Sequence, residues 1–166
     1  MSLFLSCQLN AAQIGHTFEL STYILKNRLY DYSIELDADP NFVELVFDEN
    51  DERFETTSVS LLAKTDIPSS EDGVGFEYTL SLLDNTSQCV STISNETVNT
   101  DIVSLSIDTE ALDFDSPVEG LPFNSTDELN NLLGTSTLFI HGNELANVDQ
   151  VQKCQGNILI EVELTL

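Results

Sequence analysis

Two histidines, three cysteines and a surplus of carboxylates are the side chains here from which chemistry could be built. His16 and His141 lie 125 positions apart, so neither forms a metal-binding pair by spacing, and there is no Cys-x-x-Cys. No Gly-x-Ser-x-Gly elbow and no Gly-x-x-x-x-Gly-Lys phosphate loop occurs. His141 follows the β-rich Leu138-Phe-Ile140 and reads as a strand-end histidine satisfied by backbone, not as a catalytic base. Asp48, Asn50 and Glu52 follow the alternating start of a calcium loop, but Arg53 stands where such a loop requires glycine, which excludes an EF-hand. Asp113 and Asp115 flank Phe114; an irregular loop site for calcium is the alternative to simple solvated turns. Catalysis needs a nucleophile, a base or a metal within mutual reach. The expectation is therefore a protein that is not an enzyme and carries no cofactor.

Five Lys+Arg stand against 29 Asp+Glu, a net charge of −24. That charge repels nucleic-acid phosphates and anionic lipid surfaces, so both are excluded as direct partners. No apolar run reaches the ~18 residues that span a membrane. The apolar fraction of 41% is that of a folded chain. The 166 residues suit one domain with a real core.

Residues 1–12 carry no charge and end in Asn10-Ala11-Ala12, like the remnant of a secretory signal whose basic start is missing. Removing that segment would remove Cys7 and leave Cys89 and Cys154 as an even pair. They are expected to form a disulfide in an exported protein, against the alternative of two buried thiols in a reducing compartment. Asn85, Asn95 and Asn124 each open an Asn-x-Ser/Thr triplet, which matters only in a eukaryotic secretory pathway.

The elements that must carry these residues have the strand period. Tyr32, Ile34, Leu36 and Ala38 alternate with polar residues, as do Thr57, Val59, Leu61 and Ala63. Phe76, Tyr78, Leu80 and Leu82 repeat the pattern, residues 102–107 are β-rich, and Ile158, Ile160, Val162, Leu164 and Leu166 form the longest run. Turn chemistry separates the runs at 39–41, 48–52, 67–73, 84–87 and 115–122. Ser125-x-x-Glu128 has the form of a capping box, with Leu129, Leu132 and Leu133 as a stripe and Gly134 as a stop. It predicts one short connector helix. The whole predicts a single all-β antiparallel β-sandwich domain over residues 13–166.

The layout resembles the alpha-class fimbrial pilins of the alternate chaperone–usher pathway, the colonisation-factor type. The similar segments are Tyr32-Ser-Ile-Glu-Leu-Asp-Ala-Asp39-Pro40, Phe54-Glu-Thr-Thr-Ser-Val59, Leu138-Phe-Ile-His141, and Cys154-Gln-Gly156 through Leu166. Cys154 departs from the aromatic residue usual there, and residues 13–29 are extra. The resemblance implies an immunoglobulin-like, strand-incomplete sandwich completed by donor-strand exchange, with 13–38 as the candidate N-terminal donor segment, in a cell-surface fimbria that passes through the periplasm. It implies neighbouring pilin subunits, a periplasmic chaperone and a host or surface receptor as partners. Tyr32, Ile34, Leu36 and Ala38 would be the donor strand, and Ile158, Ile160, Val162 and Leu164 would line the acceptor groove. Residues 18–24, with Phe18, Leu20 and Ile24, are a rival donor. The other reading is a free-standing secreted or surface β-sandwich binding module.

Overall fold

Period-two alternation over long stretches leaves each strand with one apolar face, and such faces are stable only when packed on one another. The computed structural model describes residues 20–21, 32–146 and 152–165. In chain order the strands are β1 (Leu20–Ser21), β2 (Ile34–Asp39), β3 (Phe47–Asp48), β4 (Arg53–Phe54), β5 (Thr57–Pro68), β6 (Glu77–Ser91) and β7 (Thr97–Thr100). They continue with β8 (Val103–Ile107), β9 (Glu110–Ala111), β10 (Val118–Pro122), β11 (Ser125–Thr126), β12 (Asn131–Gly142) and β13 (Gln152–Thr165).

One sheet runs β1-β13-β6-β10, with β7 also on β6; the other runs β2-β5-β12-β8-β9, with β11 also on β12. β3 and β4 form a separate small ribbon. Among the described residues the pairing is antiparallel, except that β1 lies parallel to β13. The architecture is the expected all-β sandwich. Leu61, Ala63, Leu138 and Ile140 from one sheet join Leu80, Leu82, Ile160 and Val162 from the other in a single apolar cluster. Each of the Leu, Ile and Val side chains contributes on the order of 1.5–3 kcal/mol by leaving water.

Residues 125–134 correct the sequence expectation of a connector helix. They form β11, a tight turn and the start of β12. The Asp127 carboxylate accepts hydrogen bonds from the backbone N–H of Leu129 (2.9 Å) and Asn131 (2.8 Å). Asn130 takes the left-handed conformation (φ 66°), and the Asp127 N–H returns to the Asn131 carbonyl. Asp127 thus serves a turn instead of a helix start. Leu132 is buried while Leu129 is 81% exposed, so no apolar stripe forms. Among the described residues a short 3-10 segment occurs at Ser69–Val74, where Pro68 and Gly73 suggest only a turn.

The turn expected at 84–87 is likewise absent. β6 runs on through Asp84-Asn-Thr-Ser87, with a bulge where the β13 ladder shifts between Leu159 and Ile160. Polar turn-formers inside a long strand are tolerated because the bulge resets the faces: Leu80 and Leu82 point inward before it, Ser87 and Cys89 after it.

Candidate functional site

β13 is a 14-residue strand at the margin of its sheet. On one side it pairs with β6 from Gln152 to Thr165. On the other, among the described residues, it pairs only with β1, at Leu20↔Ile158 and Ser21↔Leu159. A sheet edge presents a row of backbone donors and acceptors that another extended segment can complete.

The expected acceptor residues lie together on this strand. Ile158, Ile160, Val162 and Leu164 all face the core and are buried. Glu161 and Glu163 alternate with them on the outer face, and the out-of-pattern Leu159 also lies outside, half-buried opposite Ser21. Cys89 and Cys154 sit directly opposite one another on β6 and β13 and form a disulfide buried in the core. The bridge ties the edge strand to its inner neighbour.

The expected donor strand occupies a place in the chain's own second sheet. Ile34 and Leu36 are buried, and β2 pairs with β5 from Ile34↔Thr65 to Asp39↔Ser60. Tyr32 packs edge-on against Phe76 and donates its hydroxyl to Glu71 Oε1 at 2.8 Å; Ala38 lies against the core. β2 and β13 approach one another across the sandwich. Donor and acceptor candidates are therefore neighbours within one chain. On the outer face of β2, Asp37 pairs with Lys64, whose pKa is raised by that hydrogen bond and charge.

His141 is held differently from the expectation. Its ring nitrogens meet side-chain hydroxyls, Nδ1 with Thr56 Oγ1 at 3.2 Å and Nε2 with Ser106 Oγ at 2.9 Å, and the ring stacks on Phe139. Backbone does not satisfy it. A serine beside a histidine invites a catalytic reading, but an orienting carboxylate belongs on the far nitrogen, and here Thr56 occupies it. Sequence spacing gave no sign of Ser106 or Thr56, because the two arrive from other strands.

The calcium-like acids form a turn. Asp48 Oδ1 accepts from the Asn50 N–H at 2.8 Å and the Asn50 side-chain amide at 3.2 Å. These bonds, the Asn50 backbone N–H first, hold the Asp48 carboxyl below the usual aspartate range. Asp51 pairs with Arg53 at 2.9 Å. Asp113 makes a bridge with Ser116 around Phe114. No cluster of three or more metal-ligating His, Cys, Asp or Glu occurs among the described residues. No helix among them is long and apolar enough to cross a membrane. The signal-like residues 1–12, Cys7, His16 and most of the rival donor 18–24 lie outside the described residues.

No family model matches the chain, and no curated protein matches it. Among solved structures it is similar to the CooA pilin subunit from enterotoxigenic Escherichia coli. The TM-score is 0.47 and the identity 13%, over 77% of this chain and 96% of that one.

Proposed function

We propose that the chain is a structural subunit of an exported bacterial fimbria and polymerises by donating a β-strand to a neighbouring copy. The observation that carries this reading is the margin of β13. A core-forming strand of 14 residues meets only the two-residue β1 on its outer side among the described residues. The acceptor is the β13 edge, backed by Ile158, Ile160, Val162 and Leu164. Of the two donors, residues 18–24 are favoured by where β1 already lies, parallel to Ile158 and Leu159. Strand 32–38 is the less favoured donor, because Ile34 and Leu36 are committed to the chain's own core. A buried disulfide suits an oxidising compartment, as export through a periplasm requires. A periplasmic chaperone would cover the edge in transit, and a host or surface receptor would be met by the finished fibre.

The second reading is a free-standing surface binding module. It draws on the burial of the inner face of β13 within a single chain.

Three variants separate these readings. Leu20→Asp should leave a folded subunit that no longer polymerises. Ser33→Asp, on the outer side of its strand, should polymerise nearly normally. Ile34→Asp should unfold the subunit, because an unpaired buried carboxylate costs several kcal/mol. Folded but polymer-free Ile34→Asp would make 32–38 the donor. A wild-type protein recovered from its native surface solely as monomer would leave the binding module.

A further inference from the structure

On the outer face of the β7-β6-β13 half of the first sheet lies a cleft of about 550 Å³. We infer that this cleft binds a neutral, hydroxyl-rich saccharide. The inference is independent of the proposed polymerisation.

The ladder registers build the cleft. Gln155 pairs with Gln88, which pairs with Thr100, giving one row across three strands. Asn157 pairs with Thr86 in the next row, and Asp101 follows Thr100 at the margin. Side chains on such a lattice are spaced about 4.8 Å across strands and about 7 Å along them. Among the described residues, Gln88, Gln155 and Asn157 make no side-chain hydrogen bond to protein, and neither does the Asp101 carboxylate. Asp101 is held in place by its backbone. It is left-handed (φ 52°), its N–H donates to the Ser87 carbonyl at 2.8 Å, and its carbonyl accepts from the Asn143 amide at 2.6 Å.

Asn85 and Ser87 also border the cleft, but Ser87 turns inward with Cys89, and Asn85 donates its side-chain amide to the Val103 carbonyl of the other sheet at 3.1 Å.

The lining selects the ligand class. It contains no Lys, Arg or His, and the chain carries −24, so phosphate, sulfate and acidic sugars are repelled. It has no aliphatic or aromatic side chain to hold an apolar ligand. One carboxylate is too few for a hard cation, which takes six or more oxygens. What remains is the amides of Gln88, Gln155 and Asn157, the Thr100 hydroxyl, the Thr86 hydroxyl, which already donates to Asp84 Oδ2 at 3.0 Å, and the Asp101 carboxylate. These match the paired donor and acceptor character of vicinal sugar hydroxyls. Without an aromatic platform the affinity should be modest, on the order of 1 mM.

Saturation-transfer NMR on the full chain, with neutral gluco-, galacto- and manno-configured trisaccharides, tests the proposal. At least one should show transfer, and the double variant Gln155→Ala/Asn157→Ala should weaken it roughly tenfold or more. Both residues are exposed on the outer face, so the fold should survive. Asp101→Asn keeps a residue that tolerates the left-handed backbone and should also weaken binding. Glu163→Gln, further along β13 on the same face, should not. Absence of transfer at about 10 mM of every sugar would overturn the inference. So would transfer unchanged in the double variant, or transfer lost equally in Glu163→Gln.

Discussion

At Gly134 and Gly142 the chain passes where no Cβ fits. A Cβ on Gly134 would lie 2.4 Å from Tyr78 Cε1, and one on Gly142 would lie 2.1 Å from the Phe54 carbonyl oxygen. A ring can tilt, whereas a backbone carbonyl in a ladder cannot move without its neighbours. Gly134→Ala should therefore cost about 1–3 kcal/mol and Gly142→Ala more, both measured by urea denaturation. Equal costs would mean that Tyr78 is as rigid as backbone. The disulfide is the other single-residue lever. Cys89 and Cys154 are 65 residues apart. Cys154→Ala with Cys89→Ala should remove on the order of 4 kcal/mol in the chain-entropy model. Non-reducing mass measurement after alkylation should find both sulfurs blocked in the exported protein, and two labelled thiols would contradict the bridge.

At the scale of elements, the β11–β12 turn depends on one carboxylate. Hydrogen bonds from the Asn131 and Leu129 N–H groups, Asn131 foremost, hold the Asp127 carboxyl below the ordinary aspartate range. A carboxyl depressed on folding adds stability above its unfolded pKa, near 3.9, and that stability is lost as pH falls through the folded value. Asp127→Ala should flatten this part of the acid limb below about pH 4 and leave neutral pH less affected by titration than by the lost turn bonds. A variant whose acid limb matches wild type would show that the turn is held elsewhere. The same residues explain what was legible. Alternation at 57–63, 76–82 and 158–164 marks strands β5, β6 and β13, because nothing in those runs fits a helical period. Leu129, Leu132 and Leu133 fit a helix by spacing, and only the Asp127 turn, a three-dimensional feature, decides against it. Ser106 beside His141 and the parallel β1 on β13 were beyond reach for another reason. Alternation tells which face of a strand is buried but not which strand lies next to it.

At the scale of the molecule, 29 acidic against five basic residues set the terms of any encounter between copies. Arg53–Asp51 and Lys64–Asp37 are ion pairs within the chain, and a net −24 still meets a net −24 when two subunits approach. Strand addition supplies backbone hydrogen bonds and apolar burial, which are nearly insensitive to salt. Repulsion is the sensitive part, reaching about 10 Å at 0.1 M ionic strength and about 3 Å at 1 M. Assembly of purified subunits should therefore be slow at low salt and accelerate as NaCl rises. The thermal midpoint of the monomer should rise with it, because the same charges repel within one chain. Magnesium chloride at equal ionic strength separates two causes. Equal acceleration would mean screening alone, while a much larger effect would mean that divalent ions bridge acidic loops such as 48–52. Light scattering against ionic strength reads the first effect and calorimetry the second. If the midpoint climbs while assembly stays flat, the edge of β13 must meet its partner through a surface from which like charge is absent.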